Sequence, residues 1–207
     1  PGIIVYPAAA GCNTGIAAVV CPGGSYAMVS LPNEGTPVAE FLAENGISAA
    51  VVEYTLPQGH KERPLADVRR AFSELRRRAG ELCIDTAKIG IVGSSAGGHL
   101  AATFSTEKGG QSKPAFTVLL YPVISSRAGL AHQRSFRNLL GDNASLQERA
   151  EYSCELRVDS STPPAFLILS DDDPTVDPVN SIEYYLALKR FGIPASMHIY
   201  PRGKHGF

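Results

Sequence analysis

The chain has 207 residues, of which 44% are hydrophobic and 8% aromatic, and carries a net charge of −1. That length buries one well-formed core but is short for two, so a single domain over residues 1–207 is expected. Acidic and basic residues are interspersed, which leaves no field to draw nucleic acid or an anionic membrane surface, and no apolar stretch approaches the roughly twenty residues that span a bilayer.

In chain order, short runs rich in Val, Ile, Leu and Ala fall at 15–21, 47–54, 87–92, 115–121, 165–170 and 195–200. Between the second and third, "PLADVRRAFSELRRRAG" sets Leu65, Val68, Phe72, Leu75 and Ala79 on one stripe of a helix, with Pro64 at its start and Gly80 after its end. Between the fifth and sixth, "DPVNSIEYYLALKRFG" repeats the plan, with Ile182, Tyr185, Leu186 and Leu188 or Lys189 around a helix that stops at Gly192. Strands that are apolar on both faces and alternate with helices predict a mostly parallel sheet covered on two sides, an α/β three-layer sandwich. Between the fourth and fifth runs lies a stretch of roughly forty residues, long for a connection. It is dominated by charged and small polar residues, and its Phe136, Leu139, Leu140, Leu146 and Leu156 are spaced to dock short helices onto the body.

In such a sheet the working residues gather where strand C-termini meet loops. The first run ends in "CPGGSY", the third in "GSSAGG", the fifth in "SDDDPTVDP", and the sixth is followed by "YPRGKHGF". The glycine-rich turn after the third run is not a P-loop, because His99 and Leu100 follow Gly98 where Lys and Ser/Thr would be needed, and G-x-G-x-x-G is missing as well. What it matches is G-x-S-x-G centred on Ser95 by Gly93 and Gly97. This is the pattern of a serine on a sharp strand-to-helix turn, where only small neighbours let the chain fold tightly.

A serine hydroxyl needs a histidine to accept its proton and an acid to hold the imidazole. Of the five histidines, His205 alone follows the last strand, in a "GKHGF" setting that lets a loop bring imidazole over the turn. His99 is one helical turn beyond Ser95, which suits packing or hydrogen bonding. The acid must come from Asp171, Asp172, Asp173 or Asp177. Asp177, before Pro178, suits a helix N-cap, and Asp173 is the choice, with the register over 171–173 left open. Oxyanion donors are expected from the backbone N–H of Ala96 and from Gly24 and Ser25. The four cysteines, Cys12, Cys21, Cys83 and Cys154, lack metal or redox spacing and are expected as free thiols. The aspartate-rich loop lacks the EF-hand pattern, so neither metal nor cofactor is expected.

With these motifs in place the chain resembles the α/β-hydrolase esterases, and within them the BD-FAE and acetylxylan-esterase-like group related to hormone-sensitive lipase. "VVCPGGSY", "PLADVRRA", "GSSAGGHLAA", "LLYPVI", "HQRSFRNLLG", "DDDPTVDPVNS" and "HIYPRGKHGF" carry the likeness over nearly the whole chain. The resemblance implies Ser95 as nucleophile, Asp173 as acid, His205 as base and Gly24, Ser25 and Ala96 as oxyanion donors. Ser25 stands where that group commonly has glycine, and Asp177 separates Val176 from Pro178. The fold it resembles continues into a closing helix, which is expected beyond Phe207. The expected activity is hydrolysis of short-chain acyl esters, acetyl above all, through a Ser-Asp-His triad and an acyl-enzyme. The partner would be a small-molecule ester, with acetylated oligosaccharides such as xylan fragments as candidates. An arylformamidase- or peptidase-like amide hydrolase of the same fold is the alternative, and an inactive binding module is a third reading. No leader is visible at Pro1, so a soluble protein, cytoplasmic or exported, is expected.

Overall fold

The computed structural model describes residues 1–9, 11–109 and 113–207. Seven strands form one sheet: β1 (Gly2–Tyr6), β2 (Ile16–Cys21), β3 (Ile47–Glu53), β4 (Ile89–Ser94), β5 (Thr117–Leu120), β6 (Ala165–Ser170) and β7 (Ala195–Tyr200). Their spatial order is β1-β3-β2-β4-β5-β6-β7, with β1 antiparallel to β3 and every other pair parallel. The helices are α1 (Thr36–Glu44), α2 (Glu62–Arg77), α3 (Ala79–Leu82), α4 (Ser95–Ser105), α5 (Gln133–Leu140), α6 (Leu146–Glu151) and α7 (Val179–Arg190). The six apolar runs are the six parallel strands. The periodicity did not bring out β1 or α1.

Successive residues of a strand face opposite ways, and the core divides accordingly. Ala17, Val19 and Cys21 of β2 join Phe72 and Leu75 of α2, Leu100 and Phe104 of α4, and Tyr184 and Leu188 of α7 on one side of the sheet. Ala18 and Val20 join Ala39 of α1 on the other. Each buried Leu or Phe of these layers contributes about 1.5–3 kcal/mol of transfer free energy. Over the central strands the α1 face continues into an apolar groove of about 480 Å³ lined in part by Val92, Val118, Leu120 and Ile168.

Two expectations change in detail. The buried stripe of α7 is Ser181, Tyr184, Ala187 and Leu188, while Leu186 is exposed. Tyr184, a full turn earlier than Leu188, is fully buried in the main core and occupies the core-facing position. In that insertion Phe136 and Leu139 dock as expected, but Leu146 is 86% and Leu156 68% exposed. Leu146 opens α6, whose first turn is fixed by the Ser145–Glu148 capping box and not by burial. All four cysteines are free thiols. Among the described residues, no helix is long and apolar enough to cross a membrane.

The strand order creates a switch point. From β2 the chain moves outward to β3, then crosses back over β2 to β4, so β2 and β4 are neighbours whose connections leave in opposite directions. Cys21 pairs with Gly93 at their C-terminal ends. A crevice outside such ends is where open α/β sheets bind ligands, and the loop after β2 meets the turn after β4 there.

Candidate active site

Ser95 sits at the junction of β4 and α4 with φ of 53°, a left-handed conformation that a non-glycine residue adopts only when its surroundings enforce it. Ser94 before it is still extended. The flanking glycines are required by contact: a Cβ on Gly97 would lie 2.0 Å from the Cys21 carbonyl oxygen, and one on Gly93 2.3 Å from that of Gly97. The turn is thus pressed directly against the end of β2. The Ser95 carbonyl is fixed from the far side by the Val123 N–H at 3.0 Å.

Above Ser95, His205 Nε2 lies 2.8 Å from Ser95 Oγ and His205 Nδ1 2.7 Å from Asp173 Oδ2. A carboxylate oxygen only accepts, so Nδ1 carries the proton and the Nε2 lone pair faces the serine hydroxyl. The Asp173 side chain is 2% exposed, and its other oxygen accepts the Thr175 and Val176 N–H groups at 2.8 and 3.0 Å. The neighbouring aspartates do other work. Asp172 Oδ1 accepts the Gly203 and Lys204 N–H groups at 2.9 and 2.8 Å, tying down the loop that carries His205. Those bonds, Lys204's foremost, hold its carboxyl below the ordinary carboxylate range. Asp171 is exposed, and Asp177 Oδ1 caps α7 through the Val179 N–H at 2.9 Å. Ser170 Oγ donates to the Lys204 carbonyl at 2.6 Å, and the Tyr121 ring packs edge-on to His205 at 4.8 Å between centroids.

The loop after β2 is a tight turn with φ positive at Gly24, Ser25 and Tyr26 (118°, 58° and 57°). It abuts the Ser95 turn so closely that a Cβ on Gly23 would lie 2.8 Å from Ser95 Cβ. Ala96 lies in the first turn of α4, where backbone N–H groups have no carbonyl four residues earlier. The structure therefore brings together Ser95, Asp173, His205, the Gly24–Ser25 loop and Ala96.

Several residues that frame this site carry no signal in the sequence reading: Glu34, Tyr121, Tyr26 and Asn138. Tyr54 Oη donates to the Pro22 carbonyl at 2.8 Å, and Asn138 Nδ2, on α5, donates to the Ser25 carbonyl at 2.9 Å. Tyr26 Oη is 3.0 Å from His99 Nδ1, and His99 Nε2 is 2.8 Å from the Tyr152 carbonyl. Since a carbonyl only accepts, Nε2 donates to it and Nδ1 accepts the hydrogen bond of the Tyr26 hydroxyl. His99 thus has the hydrogen-bonding role expected of it, and burial pushes it down to about 4. Of the other histidines, His60 and His198 are exposed. His132 is half-buried, bonded to Ser135 Oγ at 2.8 Å, and held below its usual value first by burial and then by His205.

A strained serine at a strand-to-helix turn at the switch point of a parallel sheet defines an α/β-hydrolase architecture. The chain belongs to the family described as the α/β hydrolase fold, whose model matches residues 19–207. It is 39% identical over 198 residues to an acetylxylan esterase of Xylanibacter ruminicola, covering 94% of this chain and 41% of that protein. It is 35% identical over 205 residues to endo-1,4-beta-xylanase B of Butyrivibrio fibrisolvens, covering 91% of this chain and 32% of that one. The chain thus spans well under half the length of these curated relatives. Among solved structures it is similar to an acetyl ester-xyloside bifunctional hydrolase from Caldicellulosiruptor lactoaceticus, with a TM-score of 0.88 and 36% identity, covering 98% of this chain and 78% of that one.

Proposed function

We propose that this chain is one α/β-hydrolase domain acting as a serine carboxylesterase on short-chain acyl esters, acetyl above all, with acetylated sugars or xylan fragments as the natural substrate class. The observation that carries the reading is the hydrogen-bonded file Asp173–His205–Ser95, at 2.7 and 2.8 Å, with the serine held at a φ of 53°. Ser95 Oγ attacks the ester carbonyl as His205 Nε2 takes its proton. The carbonyl oxygen, now negative, is held by the backbone N–H of Ala96 with those of Gly24 and Ser25. The tetrahedral intermediate collapses as the imidazolium returns that proton to the departing alcohol, leaving an acyl-serine. Water, deprotonated by the same imidazole, then releases the acid and restores Ser95. Asp173 keeps Nδ1 protonated throughout and stabilises the imidazolium.

Support for a small acyl group comes from the insertion, where Phe136 and Leu139 are consumed in packing against the body and little apolar surface is left to enclose a long chain. Support for the alcohol side comes from the relatives named for acetylxylan and acetyl ester-xyloside hydrolysis. A fluorophosphonate probe followed by peptide mapping should label Ser95, and Ser95→Ala should lose label and about 10⁶-fold in kcat. An adduct on Ser94 would overturn the nucleophile. On p-nitrophenyl esters kcat/KM should rank acetyl above butyryl above octanoyl, with acetate released from acetylated xylo-oligosaccharides. A preference for octanoyl would refute the small acyl site, and acetyl preference without release from the oligosaccharide would remove the sugar.

A further inference from the structure

We infer that Glu34 is a positioning residue that locks the oxyanion loop against the nucleophile turn; the inference rests on the reading of Ser95 as nucleophile. Glu34 belongs to a π-helical turn, Leu31–Gly35, a rare geometry that occurs mostly as single turns and often at functional sites. Backbone joins the turn to the loop at its N-cap, where Ser30 N–H donates to the Gly23 carbonyl at 3.0 Å, and the turn closes on that cap as Glu34 N–H donates to the Ser30 carbonyl at 2.9 Å. The half-buried Glu34 side chain then returns to the loop, where its Oε2 accepts the Gly23 N–H at 2.9 Å.

Gly23 is the residue through which this bond acts. A Cβ there would stand 2.6 Å from Glu34 Oε2, 2.8 Å from Ser95 Cβ and 2.9 Å from the Ser94 carbonyl oxygen. The peptide is sandwiched between the carboxylate on one side and the nucleophile turn on the other. The next two residues, Gly24 and Ser25, are the ones read as oxyanion donors, so a shift of Gly23 shifts their N–H groups.

The same carboxylate faces Tyr121, at the end of β5. Burial first, and then the Glu34 charge, hold the Tyr121 phenol well above its ordinary value, so it stays protonated beside Glu34, while its hydrogen bond with Ser94 opposes the shift. Tyr121 has φ of 36° and packs on His205. One side chain thereby connects the oxyanion loop with the ring that backs the base. Glu34 touches neither substrate nor reacting atoms, and it acts through Gly23 and Tyr121.

The test uses the whole chain with p-nitrophenyl acetate and the fluorophosphonate probe. A displacement of about 1 Å in such a site costs on the order of 10²-fold, so Glu34→Ala should lower kcat about 10²-fold. KM should stay within roughly threefold, because uniform binding is untouched, and Ser95 labelling should slow in parallel. Glu34→Gln keeps a carbonyl oxygen for the Gly23 N–H and should recover kcat to within about tenfold of the parent. Should Glu34→Ala fail to fold, Glu34→Asp decides. It keeps the charge but withdraws it by one methylene, and kcat should fall with KM unchanged. A parental kcat in Glu34→Ala or Glu34→Asp, a loss confined to KM, or a glutamine variant no better than alanine would overturn the role. Labelling of Ser95 in the parent chain tests the nucleophile separately, so an active parent that fails to label at Ser95 removes the underlying reading, whereas unchanged labelling in Glu34→Ala removes only the Glu34 inference.

Discussion

Ser95 and His205 meet across one 2.8 Å hydrogen bond, yet the backbone beneath each is held by a different force. The nucleophile turn is fixed by contact: three segments approach within van der Waals distance, and glycines stand where any Cβ would collide with a carbonyl. The histidine loop is fixed by carboxylates. Asp172 accepts two of its N–H groups, Asp173 takes the imidazole, and Lys204 just before the histidine sits at φ of 58°. Close packing is rigid and tolerates little change. A hydrogen-bonded loop can lose one polar group and keep the fold. The two halves should therefore fail differently when altered.

Among changes to the groups that support Ser95 and His205, the largest expected effect lies on the histidine side. Asp173→Asn should reduce kcat about 10⁴-fold, the pattern for loss of a triad acid, while circular dichroism and the melting transition remain close to the parent. Asp172→Asn keeps an acceptor oxygen for Gly203 and Lys204 and should lose less than about tenfold. If the two rank the other way, the acid is Asp172 and the comparison collapses on that side.

On the nucleophile side the effect should appear as stability. Gly97→Ala forces its methyl against the Cys21 and Pro22 carbonyl oxygens, 2.0 and 2.4 Å from the ideal position, and should cost on the order of 3 kcal/mol in a urea titration. Gly206→Ala, beside the base, has open space but φ of 81°, and should cost only about 1 kcal/mol. Equal midpoints for the two would show that both halves are held alike.

The smallest effect sharpens the picture behind the nucleophile turn. His99 is pushed down to about 4 in the folded chain by burial, against about 6.5 unfolded. Its contribution to stability is intact above pH 6.5. It is lost as pH falls from there towards 4, because the unfolded chain binds the proton first. Between pH 7 and 5.5 this amounts to on the order of 1 kcal/mol. His99→Gln should flatten that part of the stability profile, and an unchanged slope would mean that other groups set it.

What could be read in the sequence was what is local. Gly93-x-Ser95-x-Gly97 encodes its turn within five residues, and the six parallel strands are apolar on enough of their length to stand out. Strand β1 did not, since its residues are half-buried at best along the sheet edge, and α1 is entered through the π-helical turn and Thr36-Pro37, not a side-chain cap. Three adjacent aspartates differ only in where the backbone points them, which composition cannot express: Asp171 to water, Asp172 to the histidine loop, Asp173 into the site. Glu34 was hidden for another reason. Its partner Gly23 lies on the same connection after β2, reached only because the chain folds back through the Ser30–Gly23 bond, and Tyr121 comes from the end of β5, which only the sheet order brings near.

Asn138 has a consequence for anyone who wishes to change what this domain cleaves. It lies on α5, inside the long insertion, and besides donating to the Ser25 carbonyl it accepts the Gly59 N–H at 3.1 Å through its own carbonyl. The insertion is the obvious part to exchange when a different acyl chain is wanted, because it is long and partly exposed. Excising it would also remove the clasp on the Gly24–Ser25 loop, the one proposed to receive the developing negative charge. Grafted segments should be screened with Asn138 and the α5 register retained, and libraries that randomise 123–164 wholesale will discard turnover along with selectivity.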